Sequence, residues 1–239
     1  MAAVGLADIA LYEGRASDAV TLLENSLQED QRNNGDAESR ATKHLMLAQA
    51  HFLAGHTAPA LAAADKAVST SKTESVLFWT AQVYLHLNRE AKAVALAGEL
   101  SKGLGPDPQA EAKLIEGEIQ LKQAKPRDAI QTFLQARKLA DTWLGRFDLG
   151  RAYLEAGEFT EAYSEFEVCL KRRGEVTAAF FDEIPTYRML PPVYYYMGRA
   201  QEGLKSPAAS ESYKNFLSIR EKGAEDPLVA DAKKRLAGR

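Results

Sequence analysis

The chain has 239 residues, 46% of them hydrophobic, a net charge of −3 and a single cysteine. That charge gives no global attraction to nucleic acid, and no stretch approaches the ~20 apolar residues of a membrane span. One cysteine excludes an internal disulfide framework and suits a reducing, cytoplasmic setting.

The opening stretch, Met1 to Gly14, is apolar but lacks a basic start and carries Asp8. It therefore reads as the first helix of a folded unit and not as a signal peptide. Within it begins a pattern that recurs along the chain. Ala7 is followed seven positions later by a bend residue, Gly14, and five beyond that by Ala19. The same spacing returns at Ala48, Gly55 and Ala60, at Ala81, Asn88 and Ala93, and at Gly117, Ala124 and Ala129. It is clearest at Gly150, Gly157 and Ala162; a sixth copy, Gly198, Lys205 and Ala209, is one residue short after the bend. Successive bends are 41, 33, 36, 33 and 48 residues apart, a period that predicts stacked helical hairpins.

Two antiparallel helices approach closely only where one presents Ala or Gly to the other. The residue seven before each bend and the alanine after it are predicted to face each other across such a contact. Larger residues then fill the space around it: Leu23, Phe133, Phe166 and Tyr213 recur eight or nine positions after the bend. Apolar spacing of three and four runs through both helices of each pair, and no segment alternates with period two for long enough to suggest a sheet. The expected fold class is all-α, one solenoid over residues 1–239 in which each unit touches mainly its neighbours.

The spacing stretches between the fifth and sixth units, where residues 172–192 form an insertion. Pro185, Pro191 and Pro192 cannot all lie inside one helix, so part of it is extended. Glu175 to Glu183 is a candidate short helix. Phe180, Phe181, Tyr187, Tyr194, Tyr195 and Tyr196 make the region dense in aromatics. They either pack on the solenoid itself or form a partner-binding lobe, because three consecutive tyrosines cannot all face inward on one helix. After the sixth unit, Asp226-Pro227 starts a capping helix within residues 225–238. At the other end the first helix begins almost at Met1 with no polar cap before it. The expectation is that the chain is a fragment of a longer protein, or else that its first helix docks against a partner.

Signals for chemistry are sparse. Of the four histidines, His44, His51, His56 and His86, the first two are seven apart on one helix without further ligands in step. The adjacent carboxylates Asp182 and Glu183 point in different directions and have no identifiable base or nucleophile. Cys169, on an apolar helix face near Phe166, reads as a small buried residue. The basic clusters Lys171-Arg172-Arg173 and Lys233-Lys234-Arg235 sit near helix C-termini, where cations meet the helix dipole favourably. No catalytic, metal or cofactor site is expected, and the chain is not read as an enzyme.

The repeated motif, above all "LGRAYLEAGEFTEAYSEFEVCL" from Leu149 to Leu170, resembles the tetratricopeptide repeat family over nearly the whole chain. The resemblance implies a right-handed superhelix of about six hairpins whose inner wall comes from the first helix of each. On that basis the partner-binding groove contains Leu45, Gln49, Phe78, Gln82, Leu114, Glu118, Phe147, Arg151, Tyr195 and Arg199. Its polar row reads Asp8, Gln49, Gln82, Glu118, Arg151, Arg199, so the C-terminal half is expected to prefer an acidic group or a terminal carboxylate. Chaperone-binding members of the family clamp a carboxylate with lysine and asparagine on their first hairpins. Leu45, Gln49, Phe78 and Gln82 stand at those places, so that clamp is absent. The last quarter, including "FFDEIPTYRMLPPVYYYMGRAQEGL", resembles the repeat tails of bacterial signalling proteins that carry serine/threonine kinase domains. No Gly-rich phosphate loop, His-Arg-Asp or Asp-Phe-Gly occurs in the chain itself. The expected function is a protein-interaction scaffold binding a peptide or protein partner. A homodimer and small-molecule sensing in the aromatic-lined groove are the alternatives, with no nucleic-acid or membrane partner.

Overall fold

The computed structural model describes residues 2–33, 36–177, 184–220, 222–223 and 226–238. Among these the chain forms thirteen α-helices and no strand. Twelve of them make six consecutive pairs. The first three are α1 (Ala2–Tyr12) with α2 (Ala16–Asn33), α3 (Ala37–Leu53) with α4 (Thr57–Thr70), and α5 (Glu74–His86) with α6 (Glu90–Leu100). Next come α7 (Pro106–Lys122) with α8 (Pro126–Leu139), α9 (Trp143–Glu155) with α10 (Phe159–Lys171), and α11 (Leu190–Gly203) with α12 (Ala209–Arg220). A last helix, α13 (Pro227–Ala237), starts at Asp226, whose side chain accepts from the Leu228 N–H at 2.9 Å and so caps it.

Each pair is closed by the same backbone device at the bend that the sequence marks. Gly14, Gly55, Asn88, Ala124, Gly157 and Lys205 have φ of 81°, 76°, 56°, 56°, 78° and 55°, the only positive values among the described residues. In every case the N–H after the bend reaches back five residues. Arg15 N donates to Ala10 O, His56 to His51, Arg89 to Tyr84, Lys125 to Gln120, Glu158 to Tyr153 and Ser206 to Gln201, all at 2.8–2.9 Å. This left-handed stop satisfies the orphaned carbonyls of the first helix and turns the chain back for the second.

Side-chain volume is then exchanged across each pair. A Cβ placed on Gly117 would lie 2.2 Å from the Phe133 ring, one on Gly150 2.6 Å from Phe166, and one on Gly198 2.7 Å from Tyr213. The first three pairs carry Ala7, Ala48 and Ala81 at the matching place, all fully buried, and only Leu23, Ala64 and Ala97 opposite. Glycine thus admits an aromatic ring where alanine admits Leu or Ala, which keeps the helices close while filling the space to interior density.

The stretch between α10 and α11 does not continue this pattern. Short 3₁₀ turns occupy Arg173–Thr177 and Tyr187–Met189, and the Thr186 hydroxyl donates to the Val176 carbonyl at 2.8 Å. Val176, Ile184 and Leu190 are buried in the same apolar core as the repeats. Of the candidate helix 175–183, residues 175–177 lie in the first turn; Phe180, Phe181, Asp182 and Glu183 fall outside the described residues. Pro191 and Pro192 sit in the first turn of α11, where a missing N–H breaks no helical bond. The Tyr187–Met189 turn packs against α1. Beside it, a Cβ on Gly14 would lie 2.9 Å from the Gly223 Cα, so the first bend abuts the α12–α13 connection. The first and last units of the solenoid are in contact.

Candidate binding surface

The five apolar residues assigned to the groove are covered by the chain itself. Leu45, Phe78, Leu114, Phe147 and Tyr195 are all 3% exposed or less. Phe147 stacks on Trp143 and meets Phe166 and Tyr196, and the Arg151 guanidinium lies 5.8 Å from its ring centre. Tyr195 packs against Tyr213 and Phe216, and its hydroxyl donates to Asp231 at 2.6 Å. The consecutive tyrosines therefore work on different neighbours: Tyr196 leans on the α9–α10 pair, Tyr195 on α12 and α13. In place of an open aromatic lobe, these rings form packing between units.

The polar row is reached differently at its two ends. Asp8 is buried and engaged with Tyr187 and Arg188 of the crossing segment. Gln49 and Gln82 are half-buried. Glu118 and Arg151, from α7 and α9, form an ion pair at 2.6 Å, and Arg151 also reaches Asp148 at 3.2 Å. Burial, then the neighbouring Glu118, pushes the Asp148 carboxyl well above the usual carboxylate range, against the pull of Arg151. The expected carboxylate-binding arginine thus already faces two carboxylates of its own chain. Arg199 is less committed; its Nη1 donates to the Tyr195 hydroxyl at 3.3 Å.

Around Arg151 the surface opens into a cavity of about 370 Å³ lined by Glu118, Lys122, Arg151, Glu155 and Tyr196, with Leu121, Ala124 and Pro126. Lys122 donates to Asn88 at 3.0 Å, while Glu155 is exposed. A second cavity, about 330 Å³, lies where the ends of the solenoid meet, between Gly14, Arg15, Leu53, Arg220 and Gly223. Away from these, His51 lies 3.4 Å from His56 and 3.8 Å from Glu24, and burial lowers the pKa of His44 and of His51. Burial pushes the Cys169 thiol far up, and its Sγ donates to the Trp143 carbonyl at 3.7 Å. A buried, protonated thiol is inert.

Tyr12, Trp79, Asp148 and Arg188 were not among the expected site residues. Asp8 carried the available signal, since a carboxylate on an apolar helix face requires a cationic or N–H partner when buried. Nothing in local spacing says that the partner lies 180 positions away.

Paired antiparallel helices closed by one repeated bend geometry define a helical-repeat solenoid. A family model for the tetratricopeptide repeat matches residues 116–179, the α7–α10 region. Over those residues the chain matches the tetratricopeptide repeat, and as a whole it has the fold of a helical-repeat solenoid. No curated protein sequence matches it. Among solved structures, the Cut9–Hcn1 hetero-tetramer of APC/C is similar at TM-score 0.56 and 15% identity, over 93% of this chain and 40% of that one. This chain therefore spans well under half of that relative's length. PilF of Pseudomonas aeruginosa is similar at TM-score 0.50 and 15% identity, over 100% of this chain and 96% of that one. Both likenesses concern the fold. No helix of the described residues is long and apolar enough to cross a membrane.

Proposed function

We propose that the protein is a non-catalytic interaction scaffold that binds a peptide segment of a partner along the first helices of its repeats. The carrying observation is the cavity at Arg151, where Lys122, Arg151, Glu155 and Tyr196 from three successive pairs face one space of about 370 Å³. Concave sites with a few convergent polar groups are where ligands bind, and a repeat solenoid offers such groups in a row. Contact comes from the polar residues that solvent still reaches: Gln49, Gln82, Arg151 and Arg199. Leu45, Phe78, Leu114, Phe147 and Tyr195 shape this surface from beneath. We assign the chain to the regulatory or sensory part of a larger bacterial signalling protein on the resemblance of its last quarter.

Selection from a random peptide library tests this reading. Enriched peptides are expected to lose about tenfold or more in affinity when Lys122→Glu and Arg199→Glu are combined, the size of a hot-spot loss. They should bind unchanged to a Lys171→Glu chain, altered on the outer face. Failure to enrich any sequence, or equal loss in both variants, contradicts it.

One observation favours a second reading, self-association through α1. Leu6 and Ile9 are 54% and 50% exposed on one face of that helix. Sedimentation at two concentrations separates the readings: a mass that rises with concentration and falls back in a Leu6→Glu chain supports it.

A further inference from the structure

One group of side chains outside the repeat contacts holds a piece of the chain as though it were a ligand. Asp8 projects from α1, and its Oδ2 accepts from the backbone N–H of Tyr187 at 2.9 Å. Its Oδ1 accepts from the Arg188 guanidinium at 2.8 Å and from the Arg188 backbone N–H at 3.4 Å. The face of Trp79, on α5, lies 5.4 Å from the same guanidinium. Tyr12 stacks on Tyr187 with ring centres 4.5 Å apart. Three residues on two helices thereby read two successive side chains and two successive backbone N–H groups.

This is more than closure requires. Apolar side chains would join the ends of the solenoid without desolvating a charge, and a buried ion pair returns little net stability. A carboxylate beside an indole face and a phenol ring is instead the chemistry that selects an aromatic–arginine pair. The present occupant also leaves polar atoms unmet. Arg188 Nη2 and Trp79 Nε1 are buried without a hydrogen-bond partner among the described residues. A peptide seated slightly differently can satisfy them.

We propose that Asp8, Tyr12 and Trp79 form a receptor for a Tyr-Arg pair in a partner peptide, and that Tyr187-Arg188 of the chain itself competes for it. The proposal rests on the scaffold reading above and names the chemistry of its ligand. Occupancy by the internal pair lowers the apparent affinity for the partner by the fraction of time the receptor is free.

The probe is a fluorescent peptide, Pro-Thr-Tyr-Arg-Met-Leu, copied from residues 185–190, with a counterpart carrying Ala in place of Arg. Anisotropy is read against the full chain, its Arg188→Ala variant, and the Asp8→Asn, Arg188→Ala double variant. The Arg188→Ala chain is expected to bind the peptide at least about tenfold tighter than the parent, because its own competitor has lost the guanidinium and keeps only the Tyr187 ring and the backbone N–H groups. The Ala counterpart should bind that chain at least about tenfold more weakly, and Asp8→Asn should remove the gain. No gain over the parent overturns the proposal. Equal binding of both peptides also overturns it, while leaving peptide binding to the inner surface standing. Should the Arg188→Ala chain lose its helical circular dichroism, an Arg188→Lys chain replaces it. That variant keeps a charge against Asp8 but lacks the guanidinium, so a smaller gain is expected and none contradicts the proposal.

Discussion

The repeats and the segment that crosses between their ends are stabilised by different physics. In α7–α10, every contact that fixes the fold lies within one or two units: a glycine seven residues before a bend, a ring nine after it, a six-residue hydrogen-bonded stop. The crossing at Thr186–Leu190 depends on partners far earlier in the chain, chiefly Asp8 and Tyr12 of α1 and Trp79 of α5. Repetition builds a stack from neighbour contacts alone, whereas its ends are joined here by a specific long-range polar pair.

The largest effect is therefore expected at the crossing. Asp8→Ala leaves the buried Arg188 charge uncompensated and should cost about 3–5 kcal/mol in chemical denaturation. Replacing both residues, Asp8→Leu with Arg188→Met, should recover most of that loss, since neither charge then remains buried. A double variant as unstable as the single one would show that the crossing contributes through more than this pair.

Next in size is the packing inside a repeat. Gly150→Ala sets a Cβ against the Phe166 ring and should destabilise by about 1–3 kcal/mol. Adding Phe166→Leu converts that unit to the Ala–Leu combination of Ala7 and Leu23 and should restore part of the loss, a coupling that a double-mutant cycle reads directly. Strict additivity would contradict the volume exchange.

Asp148 gives a smaller, pH-dependent signal within the α7–α9 contact. Its carboxyl has a folded pKa raised above the unfolded value, chiefly by burial and then by Glu118. Such a group withholds no stability below the unfolded pKa of about 3.9, and stability falls as pH rises from there through the folded pKa. Asp148→Asn should thus be more stable than the parent at pH 7, with the difference shrinking as pH approaches 4. Denaturation midpoints across that range check the sign.

The smallest effect belongs to the bends. Ala124 adopts φ +56°, which for a residue with a Cβ costs about 1–2 kcal/mol, against roughly 0.5–1 kcal/mol for the extra flexibility of glycine. Ala124→Gly should stabilise by about 0.5–1 kcal/mol in the same assay.

These differences also mark what the sequence made legible. All six bends and the last helix after Asp226 follow from spacing, because each rests on local contacts. Spacing sets the alanine after each bend against Gly117, Gly150 and Gly198, whereas the rings expected around that contact lie directly against these glycines. The covering of Leu45, Phe78 and Leu114 does not, since alignment to a repeat places a residue on a wall without saying what lies over it. Arg151 sits in the expected row, yet its commitment to Glu118 and Asp148 arises between units. Asp8 alone hinted at the crossing, and its partner could not be found by periodicity.

Hydrogen exchange at the Tyr187 and Arg188 amides tests the closure of the solenoid most directly. Both N–H groups are bonded to Asp8, so they should exchange as slowly as amides within α9 in the parent chain. In an Asp8→Ala chain they should exchange at least about tenfold faster while α9 keeps its protection. Fast exchange at both amides in the parent, or no change on losing Asp8, would contradict it.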